Sequence, residues 1–352
     1  MLAFMVFGLV ACRRTPGPRD PKIQVWKEVP YKKAKDPKLA QQWSLKKIQA
    51  DKAWKLHQGS SQIVVALIGT GVDYNHPDLM RNIWLNPGEA DRKKRENGKD
   101  DDGNGYVDDV IGWDFVDGDN TPYDRHGVDT HAAGIISAVK DNGIGVAGIA
   151  PRTSLMVLRY INDRGYGYLW DAIEAIRYAI RNGARIIYFN WSYGFAKREY
   201  AKYLGQAFRE AEKKGILIIT GAGNQSNNVD GKAIYPPSFH HENLIVVGAS
   251  TKEDRLAGMS NFGRRNVDIV APGVDVFSTL PGGKYGRFSG TATAAAHVVG
   301  AAALTLSYRA SNMPVSKVKE FLLGQKRVDY IPELDAYILS GGRLNVYKAL
   351  SQ

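Results

Sequence analysis

Short runs of β-branched residues alternate with amphipathic helical segments along most of this chain, and few folds accommodate that order. Five runs read as strands: IVVALIG from Ile63, SLMVLRY from Ser154, ARIIYFNWS from Ala184, ILIITGAG from Ile216 and LIVVGAS from Leu244. Between them, YLWDAIEAIRYAIRNG and YLGQAFREAEKKG place apolar residues three and four apart and close on glycine, as amphipathic helices do. The alternation predicts an α/β fold of three layers, a mostly parallel central sheet with helices on both faces. Ligands in such sheets sit at the carboxyl ends of the strands. The glycine-rich ends TGVD, NWSYG and TGAGN are therefore where a site is expected.

The chain has 352 residues, enough for one large domain, and its net charge of +11 is unevenly spread. Arg13, Arg14, Arg19, Lys22, Lys27, Lys32, Lys33, Lys35 and Lys38 face only Asp20, Glu28 and Asp36. Residues 13–35, with Pro16, Pro18, Pro21 and Pro30, read as a basic extended linker. The domain proper is expected over 36–352. Because the excess charge precedes the folded part, and no aromatic-plus-basic groove follows, no nucleic-acid partner is expected. The lone cysteine, Cys12, excludes an internal disulfide framework. It directly follows an apolar run, Met1 to Ala11, too short to span a bilayer. Residues 1–12 resemble a bacterial lipoprotein signal, although no Lys or Arg precedes the apolar run. That resemblance implies lipidation of Cys12 and anchoring in the cell envelope outside the cytoplasm, the alternative being secretion.

Three motifs carry a second resemblance. VVALIGTGVDYNHPDL, HGVDTHAAGIISA and FSGTATAAAHVVGAAAL resemble the three catalytic blocks of the subtilisin-like serine proteases (peptidase S8), and the likeness covers roughly residues 36–350. Where that family has its aspartate, histidine and serine, the aligned residues are Gly69, Val128 and Ala292. A serine hydrolase needs an imidazole to take the hydroxyl proton and a carboxylate to orient the imidazole. Glycine, valine and alanine offer no proton acceptor and no attacking oxygen. A gapped alignment makes His126 the base instead. Asp129, His131, Thr291 and Thr293 lie near the same centre, the threonines having a helix-capping or packing role as the plainer reading.

The resemblance also implies a retained cleft. Asn224 in ITGAGNQSNN stands where the family places an oxyanion donor, within the strand end Gly221, Ala222, Gly223. Ser192, Tyr193 and Gly194 match one wall, and Gly165, Tyr166, Gly167 the strand edge that pairs with an extended peptide. Retained edges with lost chemistry point to binding of extended peptides or proteins by strand addition, unless the cleft is inherited scaffold only. The chain is treated as a monomer.

Calcium is expected at two places. DDDGNGYVDD follows the D-x-D-x-N-G opening of a calcium loop through Asp100, Asp102 and Asn104, with the Tyr106 carbonyl and Asp108 or Asp109 to close the shell. The family resemblance implies a second site from Asp36, Asp78 and Asn142 with the carbonyls of Val139, Ile144 and Val146. It also relates Asp114, Asp117, Asp119 and Thr121 to a weaker site, with Tyr123 replacing a side-chain ligand there. The reading is a calcium-stabilised, membrane-tethered homologue without catalysis. Its alternatives are an active serine endopeptidase with a displaced triad and a structural surface protein.

Overall fold

Runs of Val, Ile and Leu that have apolar side chains on both faces need cover on both sides, and the chain supplies it by winding helices around a parallel sheet. The computed structural model describes residues 20–25, 33–191 and 198–351. Its strands are β1 (Val64–Gly69), β2 (Gly112–Asp114), β3 (Ser154–Arg159), β4 (Ile186–Phe189), β5 (Leu217–Gly221), β6 (Leu244–Ser250), β7 (Ile269–Pro272), β8 (Val276–Leu280), β9 (Lys284–Phe288), β10 (Asp329–Tyr330) and β11 (Gly342–Arg343). Its helices are α1 (Trp43–Lys47), α2 (Ala50–Ala53), α3 (Val128–Ser137), α4 (Leu169–Arg181), α5 (Arg198–Lys213), α6 (Thr291–Arg309), α7 (Val315–Leu323) and α8 (Val346–Ser351).

Nine strands form one sheet in the order β10-β11-β7-β6-β5-β4-β1-β3-β2, parallel throughout except for the β10–β11 pair, and β8 and β9 form a separate antiparallel hairpin. The expected α/β architecture is thus borne out. β1 shows how the layers arise. Val65 and Leu67 enter a core with Ala132, Ile135 and Ile136 of α3 and Val298 and Ala302 of α6. Ala66 and Ile68, pointing to the other face, pack with Ile173 and Ile176 of α4 and Leu204 and Phe208 of α5. α4 and α5 are two-faced, whereas α6 is buried along most of its length, which its small-residue sequence TATAAAHVVGAAAL permits.

Parallel winding brings the carboxyl ends of β1, β4 and β5 together beneath the first turns of α3 and α6. At the amino end, residues 20–25 lie against the domain: Arg125 pairs with Asp20 at 2.6 Å, the Tyr74 hydroxyl donates to the Pro21 carbonyl, and the Gln24 amide donates to Asn75 Oδ1 at 2.8 Å. Cys12 and the rest of residues 1–19 lie outside the described residues. Among the described residues no helix is long and apolar enough to cross a membrane.

Candidate functional site

Helix α3 is held at its start by a residue that precedes it. Asp124, fully buried, accepts at Oδ1 from the His126 and Gly127 amides (2.9 and 2.7 Å) and at Oδ2 from the Thr130 amide and hydroxyl (2.9 and 2.7 Å). Those bonds satisfy amides that a helix start leaves orphaned. Gly127 takes φ 100°, a left-handed conformation that glycine adopts without strain. Val128, the first helical residue, then lines a cavity, while Asp129 turns toward the end of β1.

A β-carbon built on Gly69 would lie 2.1 Å from Asp129 Oδ2, so the Asp129 carboxylate occupies the space that a side chain at 69 would fill. Oδ2 accepts the Thr70 amide at 2.7 Å and Oδ1 accepts from Asn190 Nδ2, while the Asp129 amide donates to Thr70 Oγ1 at 3.2 Å. No cation among the described residues pairs with this acid. Burial, and after it the Asp124 charge, push its carboxyl up to about 8. From about pH 4, where an exposed aspartate ionises, up to that value the folded chain therefore binds a proton that the unfolded chain has released. Stability contributed by Asp129 thus falls as pH rises through this window, by at most about 1.4 kcal/mol per pH unit. Asp129→Asn should flatten that part of the slope when urea unfolding is compared at about pH 5 and about pH 8; identical slopes in both proteins would clear Asp129 of the effect.

The first turn of α6 forms the opposite wall. Asn224 Oδ1 accepts the Thr291 amide at 2.9 Å, the Thr291 hydroxyl oxygen accepts the Gly223 amide at 3.0 Å, and the Tyr188 hydroxyl donates to the Ala292 carbonyl at 3.1 Å. With its oxygen committed to the helix, Asn224 has its Nδ2 donors left for the cleft. Val128, Ala292, Asn224, His126, Asn190 and Trp191 line one cavity of about 340 Å³. Ala292 and Val128 thus line the same space, and Asn224 stands beside them.

The remaining candidates divide between cavity and core. His126 is exposed on the rim, and its ring has no hydrogen-bond partner among the described residues. His131 is a core residue: its Nε2 lies 2.9 Å from the Val276 carbonyl, its ring stacks on Phe288 at 4.8 Å, and burial pushes it down to about 4, so it is neutral. Thr291 and Thr293 are both buried. Gly221 and Gly223 line the cavity, whereas Ala222 is buried, its amide bonded to the Val247 carbonyl at 2.9 Å. Gly165 stands beyond, at Trp191 and His126, in a turn closed by an Ile161–Gly167 bridge that leaves Tyr166 highly exposed. Ser192, Tyr193 and Gly194 lie outside the described residues. Sequence reasoning missed Asn190 and Trp191 as lining residues, although both sit in the strand end that supplies one wall.

Among the described residues, two acidic groups converge closely enough to hold a metal ion. The first is Glu89 with Asp100 and Asp102. Glu89 is fully buried; its Oε1 accepts the Asp101 and Asp102 amides at 2.6 and 3.2 Å, and its Oε2 has no partner. Asp108 instead binds the Asn97 and Gly98 amides, and Asp109 binds Asn86, Asn104 and Tyr178, so Glu89 is the acid that closes this group. Tyr106 packs edge-on against Trp113. The second group, Asp20, Asp114 and Asp117, already holds positive charge: Arg159 contacts Asp114 and Asp117, the latter at 2.7 Å, and Arg125 contacts Asp20. Asp119 accepts from Thr121 rather than joining them.

Asp36, Asp78 and Asn142, from the set implied by resemblance, are joined by hydrogen bonds, and Val139, Ile144 and Val146 meet the set through their amides. Asp36 accepts the Asn142 amide at 3.1 Å, Asn142 Nδ2 donates to Asp78 at 2.8 Å, and Asp78 also accepts the Val146 amide and the Tyr285 hydroxyl. Val139 reaches the Asp78 carbonyl with its amide, and Ile144 reaches Asn142 Oδ1. Burial pushes Asp78 up to about 6.

Comparison with known proteins places this geometry. The profile of the subtilase family (peptidase S8) matches residues 60–334. A thermophilic serine proteinase of Bacillus sp. strain AK1 is 36% identical over 86% of this chain and 65% of its own length. Thermitase of Thermoactinomyces vulgaris is 33% identical over 88% of this chain and 96% of its own length. Subtilisin-like protease 1 of Plasmodium falciparum is 32% identical over 88% of this chain, which spans only 46% of that relative.

Proposed function

The chain belongs to the subtilase family, and on that footing we propose that it is a subtilase without peptide-bond hydrolysis that binds extended peptides or proteins in its cleft. The observation that carries this reading is the cavity itself: Val128 and Ala292, which the resemblance aligns with the family's base and nucleophile, line it together beside Asn224. Neither can take up a proton or attack a carbonyl. What the walls still offer is hydrogen bonding, from Asn224 and from the glycine backbone at 221 and 223, together with the face of Trp191. The test is a titration of extended peptides against the wild type and Ala292→Trp, which fills the cavity. Binding should be lost in the variant; equal binding by both proteins, or by neither, would end the reading.

His126 favours a second reading, an endopeptidase with a displaced triad. The hydroxyls of the cavity wall speak against it, because none of Thr220, Ser289, Thr291 and Thr293 is hydrogen-bonded to the His126 ring, and Thr291 Oγ1 and Ser289 Oγ accept the Gly223 and Asp275 amides. Turnover of an unstructured substrate that disappears with His126→Ala would establish this alternative.

Calcium belongs to the proposal. The unpartnered Glu89 Oε2 beside Asp100 and Asp102 fits a hard cation that prefers oxygen ligands, and Asp36, Asp78 and Asn142 form the second place for one. Calcium bound there would tie the 86–109 loop to the domain and stabilise the native state with the logarithm of its concentration. Chelation should therefore lower the melting temperature, and Glu89→Gln should remove part of the calcium dependence; a melting temperature indifferent to millimolar calcium would refute this. Lipidation at Cys12 completes the reading, with incorporation of labelled palmitate, abolished by Cys12→Ser, as its check.

A further inference from the structure

Asn190 stands between the cavity and the buried acid Asp129, and its carboxamide has two unlike ends. Nδ2 donates to Asp129 Oδ1, while the Asn190 backbone amide donates to the Ile68 carbonyl at 3.1 Å and pins the residue just past β4. Oδ1 makes no hydrogen bond among the described residues, and Asn190 is one of the residues that line the cavity. That arrangement suits an ionised Asp129, whose oxygens only accept. A protonated Asp129 must give its O–H to an acceptor, and the surroundings offer few. The Thr70 amide, 2.7 Å from Oδ2, can only donate. Thr70 Oγ1 already accepts the Asp129 amide at 3.2 Å, and the Gly69 carbonyl accepts the Tyr160 and Ile161 amides, each at 2.9 Å. Asn190 Oδ1 is left. A half-turn of the carboxamide about its last torsion, which is broadly two-fold, brings that oxygen to the acid and carries the NH2 group to the cavity side.

The groups packed around Asp129 favour its neutral form. Asp124, in the preceding loop, is a second buried acid. From β4, Tyr188 directs its hydroxyl to the Ala292 carbonyl at 3.1 Å. Arg159 of β3, in register with Gly69, turns to Asp114 and Asp117 instead. On the same segment as Asp129, His131 is bonded to the Val276 carbonyl at 2.9 Å and His126 lies on the cavity rim. Burial beside a like charge and without a paired cation disfavours a carboxylate. We infer that Asn190 sets the hydrogen-bonding sense of the cleft wall and that Asp129 positions it. With Asp129 protonated the wall presents N–H donors to a ligand's carbonyls; with Asp129 ionised it presents a carbonyl to a ligand's N–H groups. The consequence for peptides rests on the proposed reading of the cavity as a peptide cleft, whereas the half-turn itself does not.

The test follows hydrogen exchange of the Asn190 side-chain NH2 in the full chain, isotopically labelled on asparagine, with the signal identified by its loss in Asn190→Ser. Each rate is referred to that of a free asparagine side chain at the same pH. Protection should rise about tenfold or more as the pH passes about 8, where Asp129 ionises and draws the NH2 group into the sealed place. In Asp129→Asn, whose own NH2 must meet Asn190 Oδ1 as the protonated acid does, protection should stay low at every pH; both proteins retain His126, so the comparison removes its contribution. Should Asp129→Asn melt early, the profile of His126→Ala takes its place. Constant protection in the wild type, or an equal change in Asp129→Asn, overturns the inference. In a second arm, acetyl-pentaalanine amide and its backbone N-methylated form, which keeps the carbonyls and loses the donors, are titrated against the wild type. The advantage of the unmethylated peptide should grow about fivefold or more from about pH 6 to about pH 9. If neither peptide binds while protection still changes, the peptide reading fails and the half-turn stands; binding of both in a ratio indifferent to pH overturns the inference.

Discussion

Gly69→Asp, introduced alone, should destabilise the domain by about 3–5 kcal/mol, enough to unfold much of it. The new β-carbon would stand 2.1 Å from Asp129 Oδ2, in a place sealed from water, and the new carboxylate would meet one that already lacks a cation. Two buried carboxylates at contact cannot both ionise, and there is no room for both in any protonation state. Asp129→Gly alone should also be costly, because it leaves the Thr70 amide and the Asn190 amide group without their acceptor. Together, Gly69→Asp and Asp129→Gly should recover most of the loss, since one carboxylate then occupies the same space from the other side. Urea unfolding of the four proteins measures this as a coupling energy. Simple additivity of the two single costs would show that the carboxylates do not share one space.

On the proposed reading, Val128→His with Ala292→Ser should give the cleft peptide-bond hydrolysis, with turnover of an unstructured substrate rising about 10²-fold or more over the wild type. The expectation rests on what the site still has. Asn224 is poised by its bond to the Thr291 amide, and the space beside Gly69, the position that the resemblance aligns with the family's aspartate, is filled by the Asp129 carboxyl. A histidine at 128 would lack only its acid, and Asp129 can serve once the imidazolium beside it draws its raised carboxyl back down so that it ionises. A fluorophosphonate probe should label the double variant at the introduced serine and leave the wild type unmarked. Labelling of the wild type would mean that a nucleophile exists which the cavity does not reveal, and a folded double variant that stays unlabelled would mean that Asp129 cannot orient the imidazole.

Much of the site was legible because its pieces are local. The strand end before Thr70, the glycine-led starts of α3 and α6, and the glycine-rich turn before Asn224 are each contained in a few consecutive residues, and Val128, Ala292 and Asn224 do meet in one cavity. The acidic loop was readable in part for the same reason. Its first acids, Asp100 and Asp102, converge as their spacing suggests, but the acid that joins them is Glu89, which comes from outside the motif. Asp108 and Asp109 follow the loop's opening closely in sequence, yet the Asp108 carboxylate is bonded to the Asn97 and Gly98 amides, and Asp109 divides its own between Asn104 of the loop and the distant Asn86 and Tyr178.

By itself the sequence determined the layered parallel sheet, because periodicity and β-branching are properties of neighbouring residues and dictate which faces must be covered. Only the tertiary structure decided that Asp129 fills the place beside Gly69, 59 residues away from its hydrogen-bond partner Thr70, and that Glu89 joins Asp100 and Asp102. Such encounters depend on how far α3 slides and rotates against β1, and on which turns pack side by side. Those quantities are set by the close packing of the whole core, and no stretch of residues carries them alone.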